Sequence, residues 1–398
     1  MLNTPLSPWP SFSEEEADAV ASVIRSNRVN YWTGQECRQF ETEFAAWTGS
    51  NHAIALANGT VALDLALNGL RIGFANGGSA NDEVIVTPRT FIASISCVVN
   101  AGAKPVFADV DLESGNISPA TISAAITPHT KAAIPVHLAG WPCDMDGIMA
   151  LADHFGFKVI EDCAQAHGGR YKGRSLGSIG HVSAWSFCQD KIMTTGGEGG
   201  MVTTDNPELW SAMWSFKDHG KSWDAVYNRD HPPGFRWVHE NIGTNWRMLE
   251  VQGAIGRIQL RRMFEWTARR RYIHDRLAET LEQFDDAVRV PKPPEGSEHA
   301  AYRLYAYVNP EALTTGWDRD RIANTCSAEG APVFQGSCSE VYLERAFDGS
   351  PSKPLQRLPN ARQLGETSLM FLTHPTISDQ ELDRYCATIF KVLSHTQK

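Results

Sequence analysis

Residues 157–169 read FKVIEDCAQAHGG. A short apolar run ends in two carboxylates and gives way to a polar loop with glycines. An apolar run of this length, bounded by such a loop, reads as a strand buried on both faces. Asp162 stands at its end, where a carboxylate is costly unless donors or a cation meet it. The same pattern recurs on either side: HAIALA (52–57), EVIVT (83–87), KPVFA (104–108), KAAIPV (131–136), VSAWSF (182–187) and GMVTT (200–204). The stretches between the first five runs have helical spacing, with crossover helices of about 10–14 residues expected. This alternation predicts an α/β fold, a mostly parallel central sheet sandwiched by helices. Ligands in such folds bind beyond the carboxyl ends of the strands.

Outward from the sheet, Ser13-x-x-Glu16 is a capping box that opens a helix bearing Ala17, Val20, Ala21 and Ile24. A second helix carries Phe40, Phe44 and Trp47 on one face and ends at Gly49. Residues 206–218 and 249–285 read as helices. The Pro- and Gly-rich segment PKPPEGSEH (291–299) marks a boundary between a large unit, 1–290, and a smaller C-terminal α+β unit, 291–398. The smaller unit opens with a strand at 302–308. A helix near 318–329, an irregular stretch at 335–360 and a last helix after Ser378 follow.

The formal net charge of −10 argues against a nucleic-acid partner, which needs a basic footprint. The N-terminal MLNTPLSPWP shows neither the basic nor the apolar region of a secretory signal. No apolar run approaches the roughly 20 residues of a membrane span. The eight cysteines are scattered and form no C-x-x-C pair, which fits free thiols and no metal site. These features together predict a cytoplasmic location without a membrane partner.

Three places carry chemistry. At Gly59-Thr60 a strand turns into the helix TVALDLAL, and backbone N–H groups at a helix start can seat a phosphate. Asp162 would find a partner in a protonated ring nitrogen, whose charge would keep it ionised, or else serve as a helix cap or in an internal salt bridge. Lys191 follows the strand that ends at Ser186 and precedes the turn Gly196-Gly197-Glu198-Gly199-Gly200. A lysine desolvated in such a pocket has a lowered pKa and becomes a nucleophile toward carbonyls.

ANGTVALDLAL (57–67), TPRTFIAS (87–94), GAKPVFADVD (102–111) and VIEDCAQAHGGRYKGR (159–174) are ordered along the chain. GGEGGMVTTD (196–205), IGTNWRMLEVQGAIGRIQL (242–260) and LGETSLMFLTHPTISDQEL (364–382) continue the series. This sequence resembles the DegT/DnrJ/EryC1/StrS sugar aminotransferase family of fold-type-I pyridoxal-phosphate enzymes. The resemblance implies the aspartate-aminotransferase-like fold and pyridoxal 5'-phosphate as cofactor. Lys191 would hold the cofactor covalently and Asp162 would pair with its pyridine nitrogen. Phe91 would lie over the ring, Gln165 would meet its oxygen side, and Gly59, Thr60 and Ser186 would seat the phosphate. Asn245 would reach the phosphate bound by a neighbouring subunit, implying a homodimer with shared active sites.

The implied reaction moves the amino group of L-glutamate to a nucleotide-linked keto-sugar, a 4-keto-6-deoxy sugar in most of the family, for amino-sugar, polysaccharide or glycoconjugate biosynthesis. A 3-keto-sugar or keto-cyclitol is the alternative acceptor. Dehydratases of this fold carry histidine at the position of Lys191, so lysine favours transamination. Tyr31, Trp32, His167, Arg247, Ser337 and Ser339 are the candidate substrate contacts. Three departures bear on substrate identity. Asn58 stands where the family has serine, Cys188-Gln189-Asp190 precede Lys191, and GSCSEVYLERAF (336–347) departs from the family's better-known sugar-binding segment.

Overall fold

A computed structural model describes residues 5–396, so the first four residues of the N-terminal stretch lie outside the described residues. The chain begins with α1 (Glu14–Arg25) and α2 (Glu36–Thr48). Ser13 N donates to Glu16 Oε2 at 2.7 Å in the expected capping box. Gly49 ends α2 in the left-handed region, at φ 77°.

Strands β1 (His52–Leu56), β2 (Glu83–Val86), β3 (Lys104–Phe107), β4 (Thr130–Ile134) and β5 (Lys158–Asp162) follow. Two short strands, β6 (Arg170–Tyr171) and β7 (Arg174–Ser175), precede β8 (Val182–Ser186) and β9 (Gly200–Thr204). The main sheet has the order β1-β9-β8-β5-β4-β2-β3. Only β9 runs antiparallel to its neighbours. It returns through the glycine turn, where Gly196 and Gly197 take φ of 91° and 117° that side chains resist.

Helices α3 (Gly59–Gly69), α4 (Ala93–Asn100), α5 (Pro119–Ala125) and α6 (Met145–Phe155) connect the strands. Two are shorter than expected, with 8 residues in α4 and 7 in α5. The segment around Phe91 stays outside α4. Pro119 opens α5 and an extended Ile126 closes it, which leaves the helix two turns.

Past the sheet come α7 (Pro207–Lys217), α8 (Trp223–Tyr227) and the 32-residue α9 (Glu250–Leu281). The remainder of the expected 249–285 helix tightens into a 3-10 turn at Glu282–Phe284. Then follow β10 (Val288–Arg289), β11 (Ser297–Glu298), β12 (Arg303–Val308), α10 (Arg319–Ala328) and β13 (Val333–Phe334). The chain closes with α11 (Pro359–Thr367), β14 (Ser368–Leu372) and α12 (Asp379–Leu393). An antiparallel sheet of order β10-β12-β14-β13 results. The segment 291–299 is not wholly irregular, because β11 pairs with β6 and so ties it to the loop beyond β5.

Two hydrophobic cores form. The first surrounds the large sheet and reaches Leu260 and Met263 on α9. The second packs β12 and β14 against α12 and takes in Ile273, Leu277 and Leu281 from the same helix. No helix among the described residues is long and apolar enough to cross a membrane.

Candidate active site

A cavity of about 550 Å³ opens beyond the carboxyl ends of the parallel strands. Its walls come from the turns after β1, β2, β4, β5 and β8. Gly59, Thr60, Phe91, Asp162, Gln165, Ser186 and Lys191 all line it.

The first turn of α3 forms one end. Asn58 caps it, its Oδ1 accepting from Val61 N at 3.0 Å. The first N–H groups of the helix, at Gly59 and Thr60, have no intrahelical acceptor, and the helix dipole favours an anion there. Any side chain at 59 would crowd this seat, because a Cβ would lie 2.6 Å from that of Ser186. Asn58, at the family's serine position, therefore spends its side-chain oxygen on the helix.

Asp162 also lines the cavity and is 4% exposed. Its Oδ2 accepts from Ser94 Oγ at 2.8 Å and its Oδ1 from Ala164 N at 3.1 Å. Burial pushes its acid upward, and Ser94, Ala164 and the Lys191 charge pull it back only in part. A cationic ring N–H is the partner such a carboxylate lacks. Gln165 Oε1 accepts from Ala139 N at 2.6 Å, so its amide NH2 is the group it can offer a ligand oxygen. Phe91, 70% exposed at the rim, has an aromatic face free to cover a ring.

Lys191 is mostly buried, with 16% of its side chain exposed. Its Nζ lies 3.5 Å from Asp190 Oδ1 and 5.5 Å from the Tyr302 ring centroid. Trp9 Nε1 donates to its carbonyl at 2.9 Å. The expected lowering of its pKa is not found. Burial acts in that direction, but Tyr302, Asp190 and Cys188 outweigh it and the amine stands above its ordinary value.

These residues fit pyridoxal phosphate. An anion seat, a buried carboxylate without a cationic partner, an amide donor and a mostly buried amine share one cavity wide enough for a ring.

None of the six candidate substrate contacts lines this cavity. Tyr31 is 1% exposed, bonds Glu41 and Trp214, and has Lys217 Nζ over its ring. His167 is wholly buried against Trp185 and Phe187, and burial drives its pKa down to about 3. Both are buried, and neither lines the cavity. Trp32 sits among Tyr227, Phe235 and Lys221, and Arg247 pairs with Asp218 at 2.6 Å. Ser337 N donates to Tyr305 Oη at 2.7 Å, and Ser339 is buried. Asn245 is exposed and outside the cavity, with Oδ1 3.5 Å from Arg247 N.

Sequence reading missed Ser94, Tyr302 and Trp9. Ser94 lies within TPRTFIAS, three residues after Phe91, and a strand-end carboxylate in need of donors was the signal for it. Tyr302 and Trp9 arrive from opposite ends of the chain and carried no local signal.

The sequence profile described as the DegT/DnrJ/EryC1/StrS aminotransferase family matches residues 10–390. The chain belongs to this family. It is accordingly a pyridoxal-phosphate-dependent aminotransferase of fold type I. A crystal structure of the aminotransferase from Psychrobacter cryohalolentis superposes with a TM-score of 0.95 at 59% identity, covering 98% of this chain and 99% of that one. The GDP-perosamine synthase of Caulobacter vibrioides is 34% identical over 388 residues, 96% of this chain and 97% of its own. The UDP-N-acetyl-3-dehydro-alpha-D-glucosamine 3-aminotransferase of Acidithiobacillus ferrooxidans is 35% identical over 366 residues, 92% and 90% of the two chains.

Proposed function

We propose that this aminotransferase moves the amino group of L-glutamate to a nucleotide-linked keto-sugar, working as a homodimer with shared active sites. The observation that carries the reading is the placement of Lys191 and Asp162 in one cavity at the strand ends. The cofactor supplies an electron sink for charge that develops at the donor's α-carbon.

The chain supplies the rest. N–H groups of Gly59 and Thr60, with the Ser186 hydroxyl, hold the phosphate. Asp162 would accept from the ring nitrogen and keep it protonated, Gln165 would donate to the ring oxygen, and Phe91 would cover the ring. Lys191 Nζ anchors the cofactor. When free, its amine would take the proton from the donor's α-carbon. In the return half it delivers a proton to the sugar carbon that gains nitrogen.

The family resemblance favours a 4-keto-6-deoxy acceptor. The name of the Acidithiobacillus relative favours a second reading, a 3-keto sugar. Incubation with L-glutamate and a panel of 3-keto and 4-keto sugar nucleotides, with product analysis, decides between them. Lys191→Ala is expected to abolish the visible absorbance of bound cofactor and to lower turnover at least about 10³-fold. An active, yellow variant would overturn the proposal.

Exposed Asn245, outside the cavity of its own chain, supports the dimer. Mixing Lys191→Ala with Asn245→Ala chains should regenerate one wild-type site per mixed dimer. No recovery of activity on mixing would refute site sharing.

A further inference from the structure

Asp190 stands beside the lysine that anchors the cofactor, and its side chain is half exposed rather than packed. Its Oδ2 accepts from Tyr302 Oη at 2.6 Å, and its Oδ1 lies 3.5 Å from Lys191 Nζ. Tyr302 precedes β12, so the bond reaches from the C-terminal sheet to the lysine loop. Each oxygen of the carboxylate thus has one neighbour: the tyrosine fixes its orientation, and the amine lies in reach of the other oxygen.

We propose that Asp190, oriented by Tyr302, is the positioning residue that docks the Lys191 amine whenever that amine is not bonded to the cofactor. The proposal rests on the reading of Lys191 as the anchoring lysine. A displaced lysine on a flexible stem explores many rotamers, and a fixed carboxylate keeps its nitrogen near the reacting carbon. Asp190 also favours the ammonium form, which Lys191 takes on once it has received the donor's proton. The other charged or titratable groups that act on this amine are Cys188 on its own loop, Arg303 on β12, and Asp162 and His167 at and after the end of β5. Arg303 opposes the ammonium, whereas Tyr302, Asp190 and Cys188 favour it.

The test uses full-length protein freed of cofactor, with Lys191 acetylation by trace acetic anhydride followed by peptide mass spectrometry over about pH 7 to 11. Asp190→Asn should move the midpoint down by about one pH unit, giving about tenfold more free amine at a given pH. Asp190→Glu should recover most of that shift, and Tyr302→Phe should show a shift in the same direction. An Asp190→Asn curve that overlies wild type, or a Glu variant that recovers nothing, overturns the proposal. An unchanged Tyr302→Phe curve overturns the orienting role of the tyrosine.

Borohydride reduction of the holoenzyme with peptide mapping separates this from the proposed function. If the cofactor is not fixed on Lys191, that function fails, while the acetylation curves still decide whether Asp190 holds the amine.

Discussion

Ser94 Oγ donates to Asp162 Oδ2 at 2.8 Å, so the first turn of α4 holds the acid that ends β5. This bond lowers an acid that burial raises. Ser94→Ala should therefore weaken cofactor binding and cut turnover roughly tenfold, about the worth of one hydrogen bond to a charged group. Cofactor titration and steady-state kinetics measure both. Unchanged values would show that Asp162 does not depend on this donor.

Gly59 leaves room for a phosphate only because it lacks a side chain. A Cβ there would meet the Ser186 Cβ at 2.6 Å and its backbone Cα at 3.1 Å. Gly59→Ala should push Ser186 away from the seat and raise the dissociation constant for pyridoxal phosphate about tenfold or more. Folding should survive, since α3 retains its Asn58 cap. Equal affinity in equilibrium dialysis would place the phosphate elsewhere.

Glu161, beside Asp162 but on the opposite face of β5, is wholly buried and structural. It accepts from His137 Nε2 at 3.0 Å and from the N–H groups of Gly177, Ile179 and Gly180 at 2.9, 2.8 and 2.6 Å. His137 Nδ1 accepts from Cys143 N at 3.1 Å, which puts the ring proton on Nε2. Glu161→Ala should leave these donors bare and cost about 3–5 kcal/mol of stability in denaturant unfolding. A loss below about 1 kcal/mol would contradict this.

His167 makes stability depend on pH. The unfolded chain takes up a proton on it below its ordinary 6.5, whereas the folded chain resists until about 3. Stability therefore falls as pH drops through that window, because the unfolded state binds the extra proton. His167→Phe keeps an aromatic ring beside Trp185 and Phe187. It should flatten the slope by up to about 1.4 kcal/mol per pH unit. Thermal melts of the two proteins across the window check this, and parallel slopes would exclude His167 as the source.

The strands were legible because each is a short apolar run that ends in a polar turn. Asp162 and Ser186 announced themselves by standing at such ends. Lys191 stood out by its place between a strand and a glycine turn, but its electrostatics did not. Those depend on Tyr302, 111 positions further along. Tyr31 and His167 lie outside the cavity, and sequence could not show this, because an aromatic or imidazole near a motif reads alike whether it faces a ligand or other side chains. The short α4 and α5 were set by how the chain leaves one strand and enters the next, which local periodicity does not record.

Helix α9 serves both cores, Leu260 and Met263 in one and Ile273, Leu277 and Leu281 in the other. A fragment ending at residue 290 would carry a bare apolar stripe on its last turns and should aggregate. The complementary fragment would lack one wall of its interior. Neither half is thus expected to survive as a free-standing piece, and shuffling the C-terminal unit between relatives requires the distal part of this helix to travel with it.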